Sequence, residues 1–154
     1  MKLIIKVQGE WCYLYRAVDK SGKTIDFMLS TTRDKSAAKQ FFKKALINAG
    51  IPEKITFDKS GANKSGIHAM NIFLLLLTLF GFPFFNILIR QVKYLNNIVE
   101  QDHRGIKRII KPMLGFKAFY SAEATLAGIE LHRMLRKKQP KTQKINPFFN
   151  NFTH

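Results

Sequence analysis

The sequence is short of acidic residues. Only 10 of its 154 residues are Asp or Glu, against 26 Lys and Arg, which gives a formal net charge of +16. So large a charge repels itself unless a polyanion neutralises it; nucleic acid is the commonest such partner, followed by an anionic membrane. Hydrophobic residues make up 46% of the chain, which excludes a disordered polymer.

Cysteine is almost absent as well. Cys12 stands alone, so no disulfide can form within the chain and no cysteine pair can bind zinc. This usage is typical of a reducing compartment, and we expect a cytoplasmic protein without a signal peptide. The four histidines have no metal-ligand spacing. Gly61 and Gly66 do not form a phosphate loop, because no Gly-Lys-Ser/Thr sequence follows them.

One long apolar run lies at 72–89, 18 residues without a charge. Its length is that of a single membrane span, and we keep this as an alternative. Gly81 and Pro83 interrupt the run in its middle and would loosen a spanning helix. The run therefore favours two elements of a water-soluble fold, a buried helix at 69–80 and a buried strand at 85–92.

The rest of the chain alternates between strand and helix patterns. β-Branched and aromatic stretches joined by turn signals predict an antiparallel meander. From residue 34 the apolar residues recur at helical spacing. A meander followed by βα units predicts an α/β fold with a mixed five-stranded sheet and helices on both faces. The predicted strands are 2–7, 11–18, 24–29 and 54–57, and the predicted helices are 34–49, 96–110 and 121–137, the last with Ser121 as N-cap.

Two acidic residues stand where a site is expected. Asp58 ends a strand that we expect to be central, and loops at the carboxyl ends of such strands carry functional groups. Glu100 lies one turn inside a predicted helix. Carboxylate oxygens suit Mg²⁺ or Mn²⁺. The plain alternatives are that Asp58 forms a turn and that Glu100 lies on a solvated helix face.

Cations follow Glu100 along the same helix. Arg104 stands four residues and Lys107 seven residues after it, so all three share roughly one face. Arg108 and Lys111 continue the positive stripe, which would place cations beside a metal-bound phosphate. The alternative is an ordinary Glu–Arg pair that stabilises the helix slightly.

Four blocks of sequence resemble a known family. They read WCYLYRAVDKSGKTIDF at 11–27, TFDKSGAN at 56–63, RQVKYLNNIVEQDHR at 90–104 and KPMLGFKAF at 111–119. In this order they are similar to the DDE transposases of the insertion-sequence-six family. The resemblance implies a ribonuclease-H-like integrase core over 1–138, and we expect 139–154 to form a basic, flexible tail.

The resemblance also implies the site and its ligands. Asp58 matches the second catalytic carboxylate and Glu100 the third, and the intact family site holds two Mg²⁺ or Mn²⁺ ions that promote cleavage and transfer of DNA strands. Lys107 fits the basic residue that follows the glutamate by seven positions. The partners would be the ends of the mobile element and target DNA. We expect DNA contacts from Lys59, Lys93, Arg104, Lys107, Arg108 and Lys111.

The sequence departs from the family at its start. Aligning Ile5 and Val7 with the first strand places Met1 where the family has its first catalytic Asp. We therefore expect an N-terminally truncated, inactive transposase. Two alternatives stay open: a non-catalytic fragment that binds DNA or pairs with full-length transposase and inhibits it, and the membrane protein described above. A homo-oligomer is also expected.

Overall fold

The computed structural model describes residues 3–58, 61–92 and 97–139, and these form two compact units. The first unit takes in 3–32 and 97–139, and the second takes in 33–58 and 61–92. The elements are β1 (Leu3–Val7), β2 (Glu10–Val18), β3 (Thr24–Ser30), α1 (Lys35–Ala49), β4 (Lys54–Asp58), α2 (Gly61–Thr78), β5 (Leu88–Val92), α3 (Asn97–Ile110) and α4 (Phe119–Arg136), with a 3-10 turn at Lys111–Met113 between the last two.

The predicted meander is present in the first unit. β2 pairs antiparallel with both β1 and β3, so the strand order is β1-β2-β3. Along β1 the side chains alternate between buried and exposed, because successive residues of a strand point to opposite faces. The hairpin turn after β2 is built on Asp19, whose carboxylate accepts hydrogen bonds from the backbone N–H groups of Ser21 and Lys23.

Helices α3 and α4 cover the inner face of this sheet. The three strands contribute six buried residues and the two helices five to a single apolar cluster. α3 ends where the sequence predicts, at Ile110, because Pro112 follows and Leu114 takes a left-handed conformation with φ 55°. The cluster members are Leu3, Ile5, Val7, Cys12, Leu14, Leu29, Ile106, Ile110, Ala122, Leu126 and Ile129.

The start of α4 differs from the prediction. The helix begins at Phe119, and its N-cap is Ala118, which has no side chain able to cap it. Ser121 lies inside the first turn, where its hydroxyl donates a hydrogen bond back to the carbonyl of Ala118. The predicted N-cap role of Ser121 is therefore wrong, and its hydroxyl is used by a local backbone contact that competes with capping.

In the second unit, α1 packs against α2. The carboxylate of Asp34 caps α1 by accepting a hydrogen bond from the N–H of Ala37 at 2.8 Å, and Gly50 ends the helix. A Cβ added to Gly66 of α2 would lie 3.0 Å from the Cβ of Ala38, so the two helices approach closely at this glycine.

Helix α2 begins earlier than predicted and is less buried. It starts at Gly61, about two turns before the expected Ala69. Polar residues and glycines at 61–66 are typical of loops, but packing of Gly66 and Ile67 against α1 outweighs that weak preference. The burial predicted for 69–80 is wrong too, since most of its large side chains are exposed.

The strand after α2 is also shorter than predicted. β5 begins at Leu88, because the backbone of Ile87 bonds to a side chain: the amide of Asn71 accepts from its N–H and donates to its carbonyl, both at 3.0 Å. The N–H of Leu88 then bonds to the carbonyl of Glu53. From there β5 runs parallel to β4.

The five predicted strands do not form one sheet. Among the described residues they form a three-stranded antiparallel sheet and a two-stranded parallel sheet, so β4 is paired with β5 and is not central. The outer edge of β1 is occupied near its end, where the N–H of Phe116 bonds to the carbonyl of Lys6 and the N–H of Gln8 to the carbonyl of Phe116. Sequence patterns predict strands but not which edges pair, and the single sheet was wrong for that reason.

None of the helices in the described ranges is long and apolar enough to cross a membrane.

Candidate catalytic carboxylates and basic helix

Asp58 is the last residue of β4. The strand comprises Lys54–Asp58 and pairs in parallel register with β5, with Asp58 opposite Val92. The backbone therefore places Asp58 at the carboxyl end of a parallel strand, a position where functional groups of α/β proteins commonly lie. The side chain of Asp58 lies outside the part of the chain that the structure describes, as does the whole of Lys59.

Glu100 is the fourth residue of α3, and Asp58 belongs to the other unit. The side chain of Glu100 also lies outside the described residues, as does all of Lys93. The joint binding of a metal ion by the two carboxylates therefore stays a prediction. Among the described residues, no group of three His, Cys, Asp or Glu side chains is arranged to hold a metal ion.

The basic stripe is on the surface of α3 and the turn that follows. Arg104, Arg108 and Lys111 are exposed and Lys107 is half-buried. The opposite side of the helix is held in the core by Ile106 and Ile110. With one face fixed against the sheet, the cations are presented outward over about two turns, which suits a phosphate backbone.

Gly105 brings one more cation to α3. A Cβ built there would lie 2.0 Å from Nη1 of Arg133, so only glycine leaves room for this guanidinium from α4. No sequence pattern points to Arg133, although a glycine in the middle of a helix signals a close approach. The guanidinium of Arg133 therefore packs against α3 at Gly105.

A buried polar network fixes α4 to the sheet. The side chains of Arg16 and Glu130 are each only 1% exposed and form a two-point ion pair, with N–O distances of 2.5 and 3.1 Å. The hydroxyl of Thr24 donates to Glu130 at 3.0 Å. The amide of Gln139 bonds to the backbone N–H and carbonyl of Thr24. No local pattern predicts a pair that is 114 residues apart.

Cys12 lies in the apolar core of the first unit. Its thiol is 3% exposed, and burial, with a smaller effect from the charge of Glu10, raises its pKa above the ordinary value of 9.0. A thiol in this environment is unreactive, because the thiolate is the nucleophile. Cys12 is therefore a packing residue of the first unit.

Comparison with known proteins gives the chain a family. A family profile described as a DDE domain matches residues 2–139. The transposase for insertion sequence-like element IS431mec from Staphylococcus aureus and the transposase for insertion sequence element IS257 in transposon Tn4003 from the same species are each 34% identical over 144 residues, 94% of this chain.

The chain spans 59% of the length of these two relatives. An uncharacterized protein, pYV0051 of Yersinia pseudotuberculosis, is 47% identical over 61 residues, which are 38% of this chain and 57% of that protein. No solved structure matches the chain. The family profile covers most of the chain and the transposases align along nearly all of it, so the chain belongs to the DDE transposases of the insertion-sequence-six family.

Proposed function

We propose that this chain is part of a ribonuclease-H-like transposase core that cleaves and joins DNA strands, with Asp58 and Glu100 as two of its metal-binding carboxylates. The observation that carries the proposal is the position of both residues in elements typical of such a site. Asp58 ends a parallel strand, and Glu100 lies in the first turn of a helix whose later turns carry cations. The two Staphylococcus aureus relatives are named as transposases.

The proposed ligands fit a hard divalent cation. Carboxylate oxygens are the donors that Mg²⁺ and Mn²⁺ prefer, and Asp58 and Glu100 supply them without cysteine or histidine. When bound, such ions activate the attacking oxygen and stabilise the leaving oxygen in phosphoryl transfer. The contribution of the chain is to hold the two carboxylates at the ends of ordered elements.

The stripe on α3 is proposed to bind the DNA backbone near the reacting phosphate. Its exposed guanidinium and ammonium groups make charge-assisted hydrogen bonds to phosphate oxygens. Lys59 and Lys93, which adjoin β4 and β5 in sequence, are proposed to add contacts of the same kind. The net charge of +16 supports a nucleic-acid substrate, since this excess is neutralised when DNA binds.

Calorimetric titration with Mn²⁺ tests the carboxylates. Loss of outer-shell partners alone typically lowers metal affinity about 10–100-fold, so Asp58→Asn and Glu100→Gln should each lower Mn²⁺ affinity at least about tenfold. Glu123→Gln is the matched control, because Glu123 is an exposed carboxylate on α4. Equal Mn²⁺ affinity in all three variants and the parent would contradict the proposed site.

Salt-dependent DNA binding tests the stripe. Replacing Arg104, Lys107 or Arg108 by alanine should lower affinity for duplex DNA of any sequence and reduce the salt slope by about 1 for each lost phosphate contact. Lys20→Ala, in the exposed turn after β2, is the control. An unchanged slope for the α3 variants, or an equal loss for Lys20→Ala, would place the DNA on another surface.

A further inference from the structure

The turn between α3 and α4 presents one leucine almost completely to solvent. Leu114 is 89% exposed, the largest exposed fraction among the large hydrophobic residues that the structure describes. Met113, directly before it, is 42% exposed. Single apolar residues are common on protein surfaces, so exposure alone does not mark a site. The backbone of Leu114 and the charges around it supply two further observations.

Leu114 has a backbone conformation that leucine rarely adopts. Its φ of 55° and ψ of 6° lie in the left-handed region, which glycine enters without steric cost and bulky residues avoid. Glycine is the usual residue where a helical turn ends in this conformation. Neither burial nor backbone preference therefore favours leucine at position 114. Residues held in such conformations cluster at functional sites.

The turn is fixed to the edge of β1 directly after Leu114. The N–H of Phe116 donates to the carbonyl of Lys6 at 2.8 Å, and the carbonyl of Phe116 accepts from the N–H of Gln8 at 2.7 Å. A Cβ added to Gly115 would lie 3.1 Å from the carbonyl oxygen of Lys6, so the turn approaches the strand closely. Leu114 is therefore presented outward by a turn that the sheet holds in place.

The segment around the turn carries only positive charge. No Asp or Glu stands between Asp102 and Glu123, whereas five Lys or Arg residues do. Lys111 and Lys117 are exposed on the two sides of the turn in sequence, and the carbonyl of Lys111 accepts the hydrogen bond of the Leu114 N–H. Exposed cations around an apolar tip suit duplex DNA, because cations bind phosphates and apolar side chains can enter between base pairs.

We propose that Leu114 inserts between two stacked base pairs of the duplex DNA that α3 binds, with Met113 beside it and with Lys111 and Lys117 on neighbouring phosphates. Leucine and methionine side chains that enter the base stack in this way unstack one step and kink the duplex. The inference rests on the proposed binding of the DNA backbone by the α3 stripe. It adds distortion of the bases, which phosphate contacts alone do not produce.

Binding to a weakened duplex tests the insertion. The nuclease-treated, 154-residue protein is titrated into a labelled duplex of about 30 base pairs, either fully paired or with one central mismatch. Opening a mismatched step costs less free energy, so we expect the mismatched duplex to bind at least about fivefold more tightly. A fluorescent adenine analogue at the centre of the paired duplex should brighten on binding, because it leaves the base stack.

Substitutions of Leu114 separate insertion from folding. Leu114→Gly and Leu114→Asn suit the left-handed backbone, so both should fold at least as well as the parent and yet lose the preference for the mismatch. Leu114→Met keeps an apolar side chain and should keep the preference. The salt slope should stay the same in all three, since no phosphate contact is removed. Leu135→Asn is the matched control, at a 63% exposed leucine on α4.

Several results would overturn the proposal. One is equal affinity of the parent for the paired and mismatched duplexes. A second is a preference that Leu114→Gly and Leu114→Asn retain, or that Leu135→Asn loses equally. A third is its loss in Leu114→Met as well, which would assign the effect to the shape of the turn. Binding to phosphatidylserine vesicles that Leu114→Gly abolishes, without any change in the mismatch preference, would assign the turn to an anionic membrane.

The salt slope distinguishes failure of this inference from failure of the proposed function. If the α3 variants reduce the slope but no mismatch preference is found, the stripe still binds DNA and the insertion of Leu114 alone is wrong. If the protein binds neither duplex, both proposals are wrong.

Discussion

The two units bury their side chains in different ways. The first encloses an apolar cluster of residues from three strands and two helices, together with an ion pair whose side chains are each 1% exposed. The second packs α1 on one side of α2 and leaves Leu79 and Phe80, directly after that helix, nearly four-fifths exposed. The first unit therefore encloses a charged pair as well as apolar residues, whereas α2 in the second unit exposes several large apolar side chains.

The largest expected effect tests the enclosed pair of the first unit. Glu130→Ala should lower the free energy of unfolding by about 3–5 kcal/mol, because it leaves the buried guanidinium of Arg16 without its carboxylate. Urea denaturation measures the loss. The labelling rate of Cys12, which lies in the same core, shows whether this unit opens.

The double variant Arg16→Met/Glu130→Leu is the control for that substitution. It removes both charges and should recover most of the lost stability, since apolar residues of similar volume can replace a buried pair. An equal loss of unfolding free energy in the single and double variants would mean that the two side chains stabilise the unit by their packing and not by their charges. Equal loss of hydrogen-exchange protection in α1 and α4 would mean that the two units unfold as one.

The next effect compares one glycine from each unit. Gly66→Ala should destabilise by about 1–3 kcal/mol, because its Cβ would press on Ala38 and on the backbone of α1. Gly128→Ala on α4 should instead stabilise by about 1 kcal/mol, since nothing lies within 4 Å and alanine favours helix. Thermal unfolding of both variants gives the signs. Stabilisation by Gly66→Ala would show that the helices have room to move apart.

A smaller effect concerns the start of α1. Asp34→Ala removes the cap to the N–H of Ala37 and should cost about 1 kcal/mol, while Asp34→Asn keeps a capping oxygen and should cost less. Hydrogen exchange in residues 35–49 measures the local loss. Protection that falls equally in both variants would assign the effect to the charge of Asp34 and not to its hydrogen bond.

The smallest effect is a pH dependence in the first unit. Partial burial acts to raise the pKa of Asp19, but hydrogen bonds from the Ser21 hydroxyl and from the N–H groups of Lys23 and Ser21, with the charge of Lys23, hold that pKa below its ordinary value of 3.8. A carboxyl with a lowered pKa in the folded state stabilises it above the unfolded pKa, and this is lost as pH falls through the folded value.

Asp19→Asn should therefore flatten the fall in stability of the first unit below about pH 4. Acid titration followed by circular dichroism measures it, with Asp34→Asn as the comparison in the second unit. If stability falls at acid pH in Asp19→Asn as it does in the parent, other carboxyl groups cause that fall.

Local elements were predictable where local pattern and packing agree. The meander of β1, β2 and β3 and the helix α1 lie within a residue or so of their expected bounds. Asp58 ends a strand as expected, and Glu100 lies in the first turn of a helix as expected. The start of α2 was missed because polar residues and glycines hid a helix that packing against α1 stabilises.

Long-range pairing was not predictable. Nothing in the periodicity of β2 or α4 indicates that Arg16 pairs with Glu130. Nothing in the sequence around Gly105 indicates that Arg133 packs against it. The edge of β1 is taken by Phe116, which a strand pattern cannot foresee. Each of these contacts joins residues far apart in sequence, and only the packed chain chooses among the available partners.

The sequence by itself determined the charge of +16, the alternation of strand and helix, and the motif blocks that carry the family resemblance, because these depend on composition and on neighbouring residues. The tertiary structure alone decided which side of α2 is buried, that the described strands divide into two sheets, and that Arg16 forms an ion pair with Glu130. The physical reason is that periodicity fixes which face of an element is apolar, whereas the group that covers that face is set by packing between distant segments.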